Sequence, residues 1–125
     1  MNTDIIIFEG EYINGKRYKG KEYDKNGILI FDGTYLKGER YSGKVKEFYI
    51  NDNILKFDGE ILNGKKWNGK GYNDKGGLEY ELINGNGKVK EFNVFGKLIF
   101  EGEYLNGEIY NGKFKNYYSK DVLNF

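Results

Sequence analysis

The chain has no cysteine, histidine or proline. Alanine and glutamine are missing too. Without cysteine there is no disulfide framework, no thiolate metal site and no cysteine nucleophile. Without histidine there is no Ser-His-Asp relay and no imidazole-ligated zinc. Hydroxyl nucleophiles are scarce as well: besides tyrosine, only Thr3, Thr34, Ser42 and Ser119 carry one. The expectation is a protein that is not an enzyme and needs no cofactor or metal. One-sided charge is also lacking. Twenty Lys and Arg stand against 19 Asp and Glu, so no overall field draws the chain to nucleic acid. No apolar run reaches membrane-spanning length, and Met1-Asn2-Thr3-Asp4 does not open a signal segment. These features predict a cytoplasmic protein, with a peripheral place at a membrane surface as the variant reading.

What the chain has in quantity is glycine (19), tyrosine (12) and phenylalanine (9) within 125 residues. They recur in order. Phe8-Glu9-Gly10-Glu11-Tyr12-Ile13-Asn14-Gly15 returns as Phe31-Asp32-Gly33-Thr34-Tyr35-Leu36-Lys37-Gly38. It returns again from Phe57 to Gly64 and from Phe100 to Gly107, with a degenerate copy from Leu78 to Gly85. A second phrase follows each: Tyr18-Lys19-Gly20-Lys21, Tyr41-Ser42-Gly43-Lys44, Trp67-Asn68-Gly69-Lys70 and Tyr110-Asn111-Gly112-Lys113. The fourth unit is shortened there to Gly85-Asn86-Gly87-Lys88. The whole chain, residues 1–125, therefore reads as one array with units starting near 8, 31, 57, 78 and 100, and a short tail over 117–125.

Each unit reads as a β-hairpin. Phe8, Gly10 and Tyr12 alternate with Glu9 and Glu11, a period of two. Asn-Gly at 14–15, 63–64, 84–85 and 106–107 is the strongest short hairpin signal, because both residues tolerate positive φ. Asn26-Gly27 reads as a further such turn between units. Roughly ten strands at about 4.8 Å each make a sheet on the order of 50 Å long. The predicted fold is all-β: an elongated, twisted, single-layer antiparallel meander of about five stacked hairpins. Glycine weakens a strand unless something approaches closely. Gly10, Gly33, Gly59 and Gly102 therefore predict either aromatic rings from adjacent strands lying flat over bare backbone or bulges that bend the sheet, and Tyr80 at this register predicts different packing in unit four. In Gly43-Lys44-Val45-Lys46-Glu47-Phe48 the lysines share parity with Phe48 while Val45 shares parity with Glu47. Either a bulge switches the facing or both faces carry aromatic surface.

Residues 8–21, 31–44, 57–70 and 100–113 resemble the MORN (membrane occupation and recognition nexus) repeat. The resemblance implies an elongated antiparallel sheet of stacked hairpins, curved, with an aromatic-lined groove. It also implies a non-catalytic role in scaffolding, self-association, or protein or lipid binding.

Three groups of residues are candidate sites. Tyr18, Tyr41, Trp67 and Tyr110 fall at one position in successive units, and Tyr12, Tyr35 and Tyr104 form a second file. Such rings either build the core or meet a partner, which would be another protein or a second copy of this chain; Trp67 is the strongest contact candidate. Lys44, Lys46, Lys88 and Lys90 recur at one register and could meet an anionic membrane surface; salt ladders on a solvated face are the plainer reading. Glycan binding is a third possibility, because Gly- and aromatic-rich repeats of this length also serve it. The Gly-x-x-x-x-Gly-Lys phrases, such as Gly15 to Lys21, mimic a phosphate loop. None is followed by Ser or Thr, and the repeat explains them. Ile5-Ile6-Ile7-Phe8 is a plausible uncovered strand edge.

Overall fold

The computed structural model describes residues 6–50, 53–118 and 122–123. Ile5 of the expected edge lies outside them. The hairpins are β1 (Phe8–Ile13) with β2 (Lys16–Tyr23), β3 (Leu29–Leu36) with β4 (Glu39–Phe48), and β5 (Leu55–Leu62) with β6 (Lys65–Tyr72). They continue as β7 (Leu78–Leu82) with β8 (Gly87–Phe92) and β9 (Leu98–Leu105) with β10 (Glu108–Phe114). A short pair, β11 (Tyr117–Tyr118) and β12 (Val122–Leu123), ends the chain's described part. Strands β1 to β7 form one antiparallel meander in sequence order, and β8 to β10 form a second sheet. No helix long and apolar enough to cross a membrane occurs among the described residues.

The turns account for this order. At Asn14-Gly15, Lys37-Gly38, Asn63-Gly64, Asn84-Gly85 and Asn106-Gly107 both residues have positive φ, near 50° and 80°. That is the two-residue turn whose twist matches the strands it joins. The connections between units differ. Gly27, Gly76 and Gly96 have positive φ, but Asn26 does not. The side chain of Asp24 accepts the amides of Asn26 and Ile28, and Asn73 and Asn93 do the same for their loops. Asn26-Gly27 is therefore the end of an Asx-stabilised loop and not a second turn of the Asn14-Gly15 kind. In unit four the turn keeps its two residues but the missing ones come from the start of the second strand, and only Ile83 and Asn86 bridge β7 to β8. The ladder breaks there, which divides the meander into two sheets.

Glycines pair across each regular hairpin: Gly10 with Gly20, Gly33 with Gly43, Gly59 with Gly69, and Gly102 with Gly112. A Cβ on Gly20 would come within 2.8 Å of the Phe8 ring, and one on Gly112 within 2.7 Å of the Phe100 ring. The covering ring thus belongs to the first strand of the same hairpin, two residues before its glycine, and leans across the pair. For Gly10 and Gly102 this corrects the expected adjacent-strand origin. Above the rings sit cations: Arg17 lies 4.2 Å from the Phe8 centroid, Arg40 4.9 Å from Phe31 and Lys66 4.6 Å from Phe57. A single sheet builds a core this way, in tiers of backbone, ring and capping cation. Burying a phenylalanine stabilises by roughly 1.5–3 kcal/mol. The core is Phe31, Tyr35, Val45, Phe57, Tyr80, Leu82 and Val89. Unit four packs differently, as its sequence predicts: Tyr80 covers Gly71 on the neighbouring strand and stacks on Phe57 at 6.3 Å.

The parity conflict in β4 resolves toward aromatic surface on both faces. Glu47 pairs with Phe57 and Phe48 with Leu55, so the extra residue of the register shift lies on β5. Phe48 therefore keeps the parity of Lys44 and Lys46 and lies opposite the core, half-buried.

Candidate functional site

A one-residue bulge interrupts the second strand of each regular hairpin. Glu11 pairs with Lys19 and Tyr12 with Arg17, which leaves Tyr18 without an opposite residue. The same omission falls on Tyr41, Trp67 and Tyr110. The file recognised in sequence is the file of bulge residues. A bulge bends its strand and re-aims a side chain; here it keeps Tyr41 beside Ser42 on the face opposite the core. On that face, one residue before each turn, stands an aliphatic side chain: Ile13, Leu36, Leu62, Ile83 and Leu105. Together the two files make an apolar stripe along the hairpin-turn edge. Apart from half-buried Trp67, its members are exposed, from 36% at Tyr41 to 67% at Tyr110.

The bulges also join the units. The Tyr41 carbonyl accepts the amide of Gly64 at 2.8 Å, and the Trp67 carbonyl accepts that of Gly85 at 2.7 Å. Gly107 then donates to the Gly85 carbonyl at 2.8 Å. Side chains reinforce this spine: Asn68 Oδ1 accepts Asn84 N, Asn86 Oδ1 accepts Asn106 N, and Lys65 pairs with Glu108. The Trp67 indole lies against the turns it links, since a Cβ on Gly85 would fall 2.7 Å from its Cζ3.

Beside the stripe the same face carries charges of alternating sign. Lys44 stands between Asp32 and Glu60 on the neighbouring strands, and Lys46 opposite Asp58. Lys88 faces Glu103 and Lys90 faces Glu101, with Glu79 a further 3.9 Å partner of Lys90. Shallow grooves run along this face, one lined by Thr34, Ser42, Lys44, Glu60, Leu62 and Trp67.

The second tyrosine file belongs to the core. Tyr35 is buried and donates to Glu22 at 2.7 Å, so it presents no surface to a partner, contrary to the expectation. Tyr104 is half-buried against the core. Tyr12 is exposed because β1 is an edge strand.

On the core face lies a carboxylate file that the sequence reading missed: Glu22, Glu47 and Glu91, opposite Phe31, Phe57 and Phe100. Arg40 donates from Nε and Nη2 to Glu22 at 3.0 and 2.9 Å. Glu47 Oε1 is out of solvent without a directed hydrogen bond and meets Lys66 at 3.0 Å and Lys56 at 3.6 Å. Burial pushes both carboxyls up, but Arg40, Tyr35 and Arg17 around Glu22, and Lys66 and Lys56 around Glu47, outweigh it and hold both below the ordinary value. Glu22 and Glu47 are thus engaged by structural cations. The sequence signal was available: a Glu immediately before the closing aromatic of the second strand, in Glu22-Tyr23, Glu47-Phe48 and Glu91-Phe92.

A scan of protein-family models, a search of curated proteins and a search of solved structures each return no match to this chain.

Proposed function

We propose that this chain is a non-enzymatic protein–protein interaction or scaffold module of the cytoplasm, built from MORN-like hairpin repeats. One observation carries the reading: exposed apolar side chains recur at one register across all five units, on a face otherwise occupied by paired charges. Scattered exposed apolar residues are ordinary, but a continuous patch marks an interaction surface.

The stripe suits an amphipathic helix lying across the strands. Neighbouring units repeat every two strands, about 9.6 Å. A helix advances about 10.5 Å per seven residues. Apolar residues one heptad apart on the partner would therefore meet successive units, while its flanking charges meet the ladder. The lysine register gives the anionic-lipid reading no comparable support, because carboxylates neighbour Lys44, Lys46, Lys88 and Lys90. The glycan reading rests on composition alone.

The test is affinity capture from the native lysate by the unaltered chain and by Leu36→Lys/Leu62→Lys. Both positions are exposed, so the variant folds. Proteins held by the unaltered chain and lost with the variant support the proposal; equal retention by both removes it.

A further inference from the structure

The outer edges of β1 and β10 are complementary, and the chain itself contains the template for joining them. Strand β1 opens Phe8-Glu9-Gly10-Glu11-Tyr12, and β9 carries the same five residues as Phe100-Glu101-Gly102-Glu103-Tyr104. In β9 this segment has an upstream partner. Lys88 pairs with Glu103, Val89 with Gly102 and Lys90 with Glu101. The junction of β4 with β5 repeats it: Lys44 with Glu60, Val45 with Gly59 and Lys46 with Asp58. Among the described residues, β1 has no such partner, because it pairs with β2 alone.

The missing partner strand is present at the other end. Gly112-Lys113-Phe114-Lys115 matches Gly87-Lys88-Val89-Lys90 position for position. Strand β10 pairs only with β9 among the described residues. Phe114 shows what its vacant side lacks. Val89, its counterpart, lies opposite Gly102 of the next strand and is 2% exposed; among the described residues no strand pairs with Phe114 on that side, and it is 64% exposed.

We infer that β10 of one copy docks against β1 of a second copy, antiparallel, in the register of the β8–β9 junction. Lys113 then faces Glu11, Phe114 lies over Gly10 beside Phe8, and Lys115 faces Glu9. Glu9 comes to stand between Lys115 of the incoming copy and its own Lys21, as Glu101 stands between Lys90 and Lys113. Unpaired strand edges of matching charge are templates for such addition. The contact is head-to-tail, so it propagates unless the rotation closes a ring. It uses the strand edges and not the apolar stripe, so it goes beyond the partner-binding role and stands or falls separately.

Sedimentation of the full chain at rising concentration, to about 1 mM (the weak end of specific association), should show species in multiples of 14.5 kDa. Lys113→Glu/Lys115→Glu and Glu9→Lys/Glu11→Lys should each sediment as monomer, and their mixture should regain the assembly. Because Glu9→Lys also meets Lys21 in its own hairpin, a second measurement avoids charge. The natural chain has no cysteine, so Glu11→Cys/Lys113→Cys should form an intermolecular disulfide ladder under mild oxidation. Glu11→Cys/Lys115→Cys, one pleat out of register, should not. A mass that stays at one chain throughout, or ladders that are equal for the two cysteine pairs, would overturn the inference. Leu36→Lys/Leu62→Lys should assemble like the unaltered chain, which separates a failure here from a failure of the stripe.

Discussion

The carbonyl of Tyr41 accepts the backbone amide of Gly64 at 2.8 Å, although the two residues belong to different hairpins. The bulge at Tyr41 frees this carbonyl from its own ladder and turns it toward the next unit. The same residue sends its ring to the outer face. One recurring position thus performs two tasks: its main chain joins the repeats, and its side chain helps to form the apolar stripe. The burial of these rings, open in the sequence, differs position by position. Tyr35 is core, Tyr18 and Tyr110 are surface, and Trp67 is divided between the turns and the groove.

The paired glycines should tolerate no side chain. A Cβ on Gly59 would overlap the Asn68 carbonyl oxygen and lie 2.6 Å from the Cα of Gly69. Both obstacles are backbone, which cannot swing aside. Gly59→Ala should destabilise by about 3 kcal/mol or more, the upper range for overpacking. Gly15→Ala meets nothing within 4 Å and is opposed only by its φ of 79°, so it should cost about 1–2 kcal/mol. Urea denaturation of the two variants distinguishes the mechanisms.

Unit two carries the least favourable turn residue. Lys37 has a φ of 54° where the other hairpin turns place asparagine. Asparagine enters this left-handed region more easily than lysine does. Lys37→Asn should therefore stabilise the chain, by about 0.5–1 kcal/mol, with an unchanged circular dichroism spectrum. The rise in urea midpoint is the readout.

Stability should fall at both extremes of pH. Glu22 and Glu47 titrate below the ordinary carboxylate value of 4.5 in the fold. Such groups contribute stability that is present above the unfolded pKa and lost as pH falls through the folded one. The acid limb should therefore begin below about pH 4.5, and Glu22→Gln or Glu47→Gln should flatten it. Tyr49 shifts the other way. Burial, then the charges of Asp74 and Glu79, push its hydroxyl up to about 12 from 10.0. Its contribution is complete below pH 10 and disappears as pH rises toward 12, and Tyr49→Phe should remove that part of the alkaline loss. Thermal melts across pH measure both limbs.

The hairpins were legible because their turns demand rare backbone angles. Asn14-Gly15 and its counterparts could hardly sit elsewhere, since few residues accept positive φ twice in succession. The close approach at Gly10 and Gly33 was legible for the same kind of reason, but the source of the covering ring was not. Pattern shows that space is needed, whereas register decides which ring fills it. The pair of Glu22 with Arg40 spans 18 residues and two hairpins, so it follows only from the stacking of units. The aliphatic half of the stripe was overlooked because Ile13, Leu36, Leu62, Ile83 and Leu105 are out of phase with the core residues beside them. Being out of phase is what exposes them.

Trp67 is the only tryptophan and borders the groove beside Leu62, so its emission reports directly on the stripe. The decisive measurement titrates the chain with a designed amphipathic helix carrying leucine at heptad spacing, and with a scrambled peptide of the same composition. A saturable blue shift with the first peptide, absent with the second and abolished by Leu36→Lys/Leu62→Lys, is the predicted result. Emission that does not move, or that moves equally with both peptides or in the variant, would contradict the claim that this face binds a partner.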